Sequence, residues 1–211
     1  MLISGGKMSS KNLKLKPSKE LAYVLGVLLG DGSVYKREKT HEYIVKLRTT
    51  EKLFAESFAN ALRELGLRPR IDIEDRSKRN PKWKKLYVVR AFSKKFYEFF
   101  KSLSLRSIRE LIKGYETEFL RGFYESEGLC YEHKRTLSIY MYNSNKELIE
   151  FVCEILTELG FNAEVKDRGY PKGAKKRAYE VRVRGWKESV MFILLIRPVI
   201  KIPQWIKSVI K

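Results

Sequence analysis

The sequence predicts an α+β fold in which two similar halves, each of the order αββαββα, are joined in one chain. Leu21–Gly32 (LAYVLGVLLGDG) and Phe119–Gly128 (FLRGFYESEG) are apolar stretches that both close on an acid followed by glycine. Downstream of each, an amphipathic stretch ends in Leu-Gly, at 65–66 and again at 159–160. A repeat of this length indicates a fused duplication with pseudo-two-fold symmetry rather than a solenoid.

The two apolar stretches predict helices that pack against each other. Each carries small residues four positions apart, Gly26 and Gly30 in the first and Gly122 and Ser126 in the second. Residues at this spacing share one helix face, and small side chains there let two backbones approach closely. Gly32 and Gly128 would then adopt the left-handed conformation that often follows a helix end, so both helices should stop at the same level.

The first half continues with two hairpins and further helices. Ser18 is the expected N-cap of the first helix, and the region 33–50 alternates in period two around a polar break. Glu51–Leu65 is an amphipathic helix stopped by Gly66. The region 70–92 reads as a second hairpin, and the following helices, broken near Ser104, are predicted at Ser93–Leu103 and Leu105–Lys113.

The second half repeats this order. A hairpin covers 129–143, a helix at Lys146–Leu159 is stopped by Gly160, and a second hairpin covers 163–184. Trp186–Ile196 is predicted to be helical, and Trp205–Ile210 forms a final apolar turn. The predicted organisation is a basic flexible lead (1–17), a first repeat (18–114) and a second repeat (115–211).

The strand alternation assigns one inward and one outward face to each sheet. The inward set is Tyr43, Val45, Leu47, Ile71, Ile73, Tyr87, Val89 and Ala91 in the first half, and Leu137, Ile139, Met141, Ala163, Val165, Tyr179, Val181 and Val183 in the second. The outward set, which includes Ile44, is otherwise polar, and it supplies the candidate residues for contact with a partner. These are Ser33, Tyr35, Arg37, Glu42, Lys46, Arg48, Arg70, Asp72, Glu74, Arg76, Lys84 and Arg90 in the first half, and Tyr131, His133, Ser138, Tyr140, Tyr142, Glu164, Lys166, Arg168, Glu180, Arg182 and Arg184 in the second.

The charge balance points to a polyanionic partner. The chain has 44 Lys and Arg against 25 Asp and Glu, a formal net charge of +19. A thermophile-type surface would enrich acids along with bases, so nucleic acid is the expected partner. A curved β-ribbon with outward Arg and Lys fits the major groove of duplex DNA, where it can reach base edges and phosphates.

The two acids that close the motif stretches are unfavourably placed for a purely structural role. A carboxylate at a helix C-terminus costs roughly 0.3–1 kcal/mol, and Asp31 beside Glu127 adds like-charge repulsion. One such acid is usually an ordinary solvated helix end, but two at matched places indicate a function. A divalent cation would remove both penalties, because Mg²⁺ and Ca²⁺ prefer carboxylates and unpaired carbonyls as ligands.

Composition argues against other site types. Cys130 and Cys153 are isolated and His41 and His133 are the only histidines, so a disulfide framework, a zinc finger and a His-rich metal site lack support. The sequence has neither a signal-like apolar core at its start nor an 18-residue apolar span. An intracellular, soluble protein without a membrane partner is expected.

At the motifs VLGVLLGDG (Val24–Gly32) and LRGFYESEG (Leu120–Gly128) the sequence resembles the LAGLIDADG homing endonucleases of the single-chain, two-motif kind. The resemblance covers nearly the whole chain from Ser18 onward. It implies motif helices at the interface between halves, two antiparallel sheets that form a DNA-binding saddle, and a monomer that makes a double-strand break in a long DNA target.

The resemblance also implies the catalytic residues. Asp31 would serve one DNA strand and Glu127 the other, as metal ligands assisted by the backbone carbonyls of Gly30 and Ser126. Mg²⁺ is the implied cofactor, Mn²⁺ a substitute, and Ca²⁺ is expected to bind without cleavage. Glu125 is a competing acid, but a step of two residues places it on another helix face.

Two questions stay open at this level. The family often keeps a basic or amide residue where the second strand meets the next helix, and this chain has Thr49–Thr50 and Asn143–Ser144 there. The supporting base could be Arg48, Lys52 or Lys146, or come from the region of Lys113.

The alternative function is a cleavage-inactive intron maturase, with RNA as partner, or another DNA- or RNA-binding regulator on the same scaffold. A generic RNA-binding protein would explain the charge but not the paired acids.

Overall fold

The computed structural model describes residues 13–76, 80–134 and 136–207. Its first half contains α1 (Lys19–Leu29), β1 (Ser33–Arg37), β2 (Glu42–Thr49), α2 (Lys52–Glu64), β3 (Arg70–Glu74), β4 (Leu86–Phe92), α3 (Lys94–Lys101) and α4 (Leu105–Ile112). Its second half contains α5 (Glu116–Glu127), β5 (Gly128–His133), β6 (Thr136–Asn143), α6 (Lys146–Glu158), β7 (Ala163–Asp167), β8 (Tyr179–Arg184), α7 (Trp186–Ile196) and α8 (Gln204–Lys207). None of the helices within these described ranges is long and apolar enough to cross a membrane.

The two sheets have the same topology, which confirms the predicted α+β duplication. The first has the order β1-β2-β4-β3 and the second β5-β6-β8-β7, and all neighbouring strands are antiparallel. One face of each sheet packs on helices, where Val45 and Leu47 in the first half and Ile139 and Met141 in the second are fully buried. The opposite face is called the outer face below.

Helices α1 and α5 cross with their backbones in direct contact, as their small residues predict. A Cβ added to Gly26 would lie 2.1 Å from the carbonyl oxygen of Phe119, and one added to Gly122 would lie 2.2 Å from that of Tyr23. Real side chains never approach so closely, so any larger residue here would force the helices apart. Because buried side chains of both halves join one hydrophobic cluster around these helices, the halves share a core.

Capping residues fix the helix boundaries. The Ser18 hydroxyl accepts a hydrogen bond from the Leu21 amide, 3.2 Å away, as predicted. The glycines that follow α2 and α6 adopt left-handed backbones, with φ of 89° at Gly66 and 87° at Gly160. These glycines are therefore the helix stops that the sequence predicts.

The glycines after the motif acids do not behave as predicted. Neither has a positive φ: the value at Gly128 is −79°, and α5 passes directly into β5 there. A Cβ on Gly32 would lie 2.7 Å from Leu28, and one on Gly128 would lie 2.4 Å from the carbonyl oxygen of Tyr124. Glycine is needed because the chain folds back tightly on its own helix. The helices also end at different points, since α1 stops at Leu29 while α5 includes Glu127.

The structure bears on three smaller predictions, which concern Ile73, the N-terminal lead and the final turn. Ile73, predicted to face inward, is 61% exposed because it lies near the end of the edge strand β3. In the predicted lead, the Lys14 amide donates to the carbonyl of Leu65 at 3.0 Å, so residues 13–17 run along the first half; residues 1–12 lie outside the described part. Of the predicted turn Trp205–Ile210, only the part up to residue 207 is described, and it is helical.

Candidate functional site

Asp31 and Glu127 come together where the ends of α1 and α5 meet. An added Cβ on Gly30 would lie 2.4 Å from Cβ of Ser126 and 3.1 Å from Cγ of Glu127, so the two chain ends touch at this level. Burial raises the pKa of Glu127 to about 7, with the neighbouring charge of Asp31 as the second cause. Burial also raises the pKa of Asp31. These two residues, called the acid pair below, are thus electrostatically coupled.

Asn143, the last residue of β6, orients Glu127. Its side-chain Nδ2 donates a hydrogen bond to Oε1 of Glu127 at 3.0 Å. The amide therefore holds one carboxylate oxygen and lowers the pKa of Glu127, against the larger effects of burial and Asp31. The junction between the second strand and the next helix, where an amide or base is expected, does reach the site in the second half.

Lys201 is the basic residue that the structure brings to the acid pair. Its Nζ donates to the carbonyl oxygen of Ser126, one residue before Glu127. Burial lowers the pKa of Lys201, while Asp31, Glu127, Glu125 and Glu51 oppose that shift in this order. The ammonium group in turn lowers the pKa of both Asp31 and Glu127.

The segment that carries Lys201 is anchored to the motif helix α5. The hydroxyl of Tyr124 donates to the carbonyl of Lys201 at 2.6 Å, and the amide of Val199 donates to Oε1 of Glu125 at 2.8 Å. Lys201 itself has a φ of 59°, a left-handed backbone that is strained for a residue with a side chain. Two side chains of α5 thus fix the position of this strained segment.

Glu125, the competing acid of the motif helix, points away from the acid pair into the contact between α1 and α5. It is 1% exposed, and its Oε2 accepts a hydrogen bond from the Tyr23 hydroxyl of α1 at 2.6 Å. With the Val199 amide on its other oxygen, this carboxylate joins α1, α5 and the Lys201 segment. Burial raises its pKa.

The donor set fits a hard divalent cation held by the acid pair. Two carboxylates whose proton affinity is raised by burial, and for Glu127 also by the charge of Asp31, gain from a shared positive charge. Among the described residues no group of three or more His, Cys, Asp or Glu could hold a metal, so the remaining ligands must be carbonyls or oxygens from outside the protein. The predicted Ser126 carbonyl is already bonded to the Lys201 ammonium, which disfavours a second cation there. The Gly30 carbonyl stays a candidate.

The predicted DNA-contacting residues of the first half line the outer face of the first sheet, many of them in ion pairs. Arg90 contacts Asp72 and Glu74, and Arg48 contacts Glu74 at 3.1 Å. Further predicted residues on this face are Ser33, Tyr35, Arg37, Glu42, Lys46 and Arg70. Beyond the strand ends, the guanidinium of Arg76 lies 5.4 Å from the ring centroid of Trp83, and Lys84 is exposed.

The outer face of the second sheet divides into two parts. Strands β7 and β8 carry ion pairs that join Glu164, Lys166, Arg168, Glu180, Arg182 and Arg184. Strands β5 and β6 carry Tyr131, His133, Ser138, Tyr140 and Tyr142.

Three residues of the outer faces are less accessible than their face assignment suggests. Glu180 is 0% exposed because Arg168 and Arg182 lie over it, and Ser138 is 5% exposed beneath its neighbours. Both are therefore poor candidates for direct DNA contact. Ile44 lies on the outer face as predicted but is fully buried. Period-two alternation assigns a face correctly without showing how far longer neighbours cover it.

The predicted supporting bases make other contacts. Lys52 pairs with Glu56 along α2, Lys146 pairs with Glu150 along α6, and Arg48 is held by Glu74 on the outer face. Lys113 is exposed at the end of α4. Sequence reasoning missed Lys201 because its segment has no helix or strand periodicity; its sole sequence signal is a lysine between two prolines.

Fold and site together define a duplicated LAGLIDADG protein. Residues 18–103 and 114–194 each match the model of the LAGLIDADG-like domain, so the chain belongs to this family. It is 37% identical over 175 residues to Uncharacterized protein MJ0314 of Methanocaldococcus jannaschii, covering 78% of this chain and 65% of that protein. It is 31% identical over 147 residues to Homing endonuclease I-DmoI of Desulfurococcus mucosus, covering 66% of this chain and 70% of that protein.

A second Methanocaldococcus jannaschii protein, Uncharacterized protein MJ0398, is 33% identical over 59% of its own length, so the chain spans about three fifths of these two relatives.

Solved structures support the same fold. Mesophilic variants of I-DmoI match with a TM-score of 0.60 and 26% identity, over 84% of this chain and 94% of that chain. I-DmoI in complex with DNA and Ca matches with a TM-score of 0.64, at 24% identity over 90% and 96% of the two chains. The N-terminal LAGLIDADG domain of DUF199/WhiA matches with a TM-score of 0.58 at 13% identity, over 98% of this chain and 100% of that one.

Proposed function

We propose that this protein is a site-specific homing endonuclease that makes a double-strand break in a long DNA target by metal-dependent phosphodiester hydrolysis. The observation that carries the proposal is the acid pair, which lies where the ends of two tightly packed motif helices meet. A binding protein would be more stable with Lys or Arg at these helix ends, because acids there oppose the helix dipole and repel each other.

Asp31 and Glu127 are the residues that would hold divalent cations, with Mg²⁺ as the expected cofactor. When bound, such an ion polarises the phosphoryl group and lowers the pKa of a bound water molecule. I-DmoI, a relative with about one third identity, has been crystallised with DNA in the presence of Mg, Mn and Ca. This supports divalent metal use here. Through the family resemblance, the proposal also takes Mn²⁺ as a substitute and Ca²⁺ as an ion that permits binding without cleavage.

The residues around the acid pair fix its orientation and supply a positive charge beside it. Asn143 fixes one oxygen of Glu127, so the carboxylate keeps its orientation when DNA arrives. Lys201 supplies a fixed positive charge beside the acids, where it would oppose the negative charge that develops on the phosphate. Since the pKa of Glu127 is about 7, cation binding at neutral pH displaces a proton from the molecules in which this carboxyl is protonated.

Double-stranded DNA is the proposed partner, bound by a monomer across both outer faces. The net charge of +19 favours long-range attraction to phosphates. The arginines of the outer faces can exchange their present acidic partners for guanine edges or phosphates. Site-specific recognition and homing of an intron belong to this proposal through the family resemblance.

Cleavage of a supercoiled plasmid that carries a selected target tests the proposal. The expected result is linear product with Mg²⁺ and none with EDTA. Asp31→Asn or Glu127→Gln should abolish double-strand cleavage while binding in Ca²⁺ is largely retained. Glu110→Gln, which removes an exposed carboxylate from α4, is the matched control and should cut normally. Full cleavage by both site variants would refute the assignment.

The second candidate is a cleavage-inactive nucleic-acid-binding protein, such as a maturase that binds intron RNA or a regulator. The observation that favours it is the likeness to the WhiA domain, because the fold is shared with a protein not named a homing endonuclease. Tight duplex or RNA binding without cleavage in Mg²⁺ or Mn²⁺ would support this candidate instead.

A further inference from the structure

The two halves present different chemistry at equivalent positions of their outer faces. In the first sheet, Lys46 lies between Ser33 on β1 and Arg90 on β4. In the second sheet, the same place between β5 and β8 is occupied by Tyr140. One residue pair further along, Arg48 of β2 corresponds to Tyr142 of β6. The duplication has therefore kept the backbone and replaced two cations by two aromatic rings.

Strands β5 and β6 together form an uncharged outer surface, which we call the aromatic tract. Its outward positions are Leu129, Tyr131, His133, Thr136, Ser138, Tyr140 and Tyr142, and none of these is Lys, Arg, Asp or Glu. Leu129 is 47% exposed and Tyr131 is 45% exposed. A protein with a net charge of +19 thus has an uncharged, partly accessible surface at the place where the other half carries charges.

The rings of the tract are held by one another. Tyr140 and Tyr142 are stacked with centroids 6.1 Å apart at 8°, and Tyr131 meets Tyr140 edge-on at 6.4 Å. The guanidinium of Arg182 lies 4.8 Å from the centroid of Tyr140, and buried Glu180 holds Arg182 by a hydrogen bond of 2.6 Å. Because Arg182 and Tyr142 lie against the ring of Tyr140 and His133 lies against the ring of Tyr131, the tract offers ring edges, hydroxyl groups and the Leu129 side chain to a ligand.

This geometry favours contact with the groove of a duplex over stacking on unpaired bases. Recognition of single strands needs free aromatic faces on which bases stack. In the major groove, by contrast, the distinctive apolar feature is the 5-methyl group of thymine, which is read by apolar contact. Tyrosine hydroxyls can also hydrogen-bond to the adenine N6/N7 edge or the thymine O4 of the same base pair.

We propose that the second half recognises a T·A-rich half-site through thymine methyl groups contacted by Leu129, Tyr131 and Tyr140, whereas the first half reads its half-site through charged side chains such as Lys46 and Arg48. The proposal rests on the proposed function, since it names the DNA sequence class that the outer faces select. It makes the target asymmetric in composition and assigns each half-site to one half of the protein.

The test begins with selection of bound duplexes from a randomised library in Ca²⁺, where binding is expected without cleavage. One half-site should be enriched in T·A pairs. Replacing every dT by dU in that half-site removes only methyl groups, and it should weaken binding by about fourfold for each methyl that is desolvated. The same replacement in the other half-site should change the affinity less than about twofold, below the effect of one buried methyl.

Variants assign the effect to the tract. Tyr140→Ser should reduce the difference in affinity between the dT and dU duplexes by about fourfold, the effect of one methyl contact. Tyr131→Ser, on the exposed edge strand, should give the same reduction and serves if the first variant folds poorly. Lys46→Ala, at the equivalent place in the first half, is the matched control. It should weaken binding to both duplexes alike and reduce the salt dependence, since it removes one phosphate or base contact.

Each remaining outcome decides between explanations. Equal affinity for dT and dU duplexes in both half-sites, or G·C enrichment throughout, would overturn the inference. Tighter binding to a randomised single-stranded RNA pool would replace groove contact by base stacking. If the half-site preference is found but Mg²⁺ produces no cut, the inference stands and the proposed nuclease function fails. If the protein cuts a selected site in which neither half-site is T·A-rich, the proposed nuclease function stands and the inference fails.

Discussion

The Glu127 carboxylate should destabilise the metal-free protein at neutral and alkaline pH. Burial and the charge of Asp31 raise its pKa from 4.5 to about 7. At about 1.4 kcal/mol for each unit, this shift corresponds to an upper limit of roughly 3.4 kcal/mol. Because Glu127 is only partly buried, water screens the interaction, and we expect about 1–3 kcal/mol.

The direction in which stability changes with pH follows from proton binding by Glu127. The folded protein binds the Glu127 proton more tightly than the unfolded chain, so the free energy of unfolding falls as pH rises from about 4.5 to about 7. The penalty is absent below this window and complete above it. Glu127→Gln removes the charge, so it should stabilise the protein at pH 8 and have little effect at pH 5.

Thermal unfolding in EDTA measures this effect. At about 2–4 °C per kcal/mol for a chain of this size, the variant should melt roughly 2–12 °C above the wild type at pH 8. Glu110→Gln should show no such pH-dependent gain. Equal melting temperatures at pH 8, or a larger gain at pH 5 than at pH 8, would refute the coupling of the acid pair.

Three further substitutions test the interface, the structural acid and the basic residue. Gly122→Ala places a Cβ 2.2 Å from the carbonyl of Tyr23, and it should lower the free energy of unfolding in urea by about 1–3 kcal/mol or more. Tyr23→Phe removes the hydrogen bond to Glu125 and should cost about 1–3 kcal/mol in the same assay, because a buried carboxylate loses its donor. Lys201→Met should lower the single-turnover cleavage rate by about 100-fold while the dissociation constant in Ca²⁺ changes less than about threefold, since the charge acts on the reacting phosphate.

Matched controls separate these effects from general damage. Gly160→Ala strains a left-handed backbone but meets no atom within 4 Å, so it should cost less than Gly122→Ala; equal costs would contradict the close helix contact. Tyr97→Phe should change stability by less than about 0.5 kcal/mol. Lys207→Met, on the exposed face of α8, should cut normally. If Lys201→Met lost binding as strongly as cleavage, Lys201 would be a DNA anchor rather than part of the reaction site.

The fold and the acid pair were predictable because their signals are local and duplicated. Small residues four apart placed α1 against α5, and period-two patterns assigned the sheet faces. The acid pair followed from two matched motif ends. Asn143 was within reach of prediction, because it ends a strand whose position the repeat fixes.

What could not be predicted depends on long-range contacts. Lys201 reaches the site because Tyr124 and Glu125 hold its segment, and neither contact has a pattern in the sequence. The burial of Glu180 depends on how Arg168 and Arg182 fold over it, which alternation does not encode. The conformation of the glycines after the motif acids depended on the tight return of the chain to its own helix, not on the usual helix stop.

The most direct test of the central claim is to locate Mn²⁺ in a crystal of the protein bound to its selected duplex. The two halves are proposed to bring Asp31 and Glu127 to one metal-dependent site at the scissile phosphates. Anomalous scattering should place Mn²⁺ within direct coordination distance of oxygens of both carboxylates, and the signal should be lost in Asp31→Asn with Glu127→Gln. Manganese bound elsewhere, or cleavage-competent complexes with no metal at these oxygens, would contradict the account.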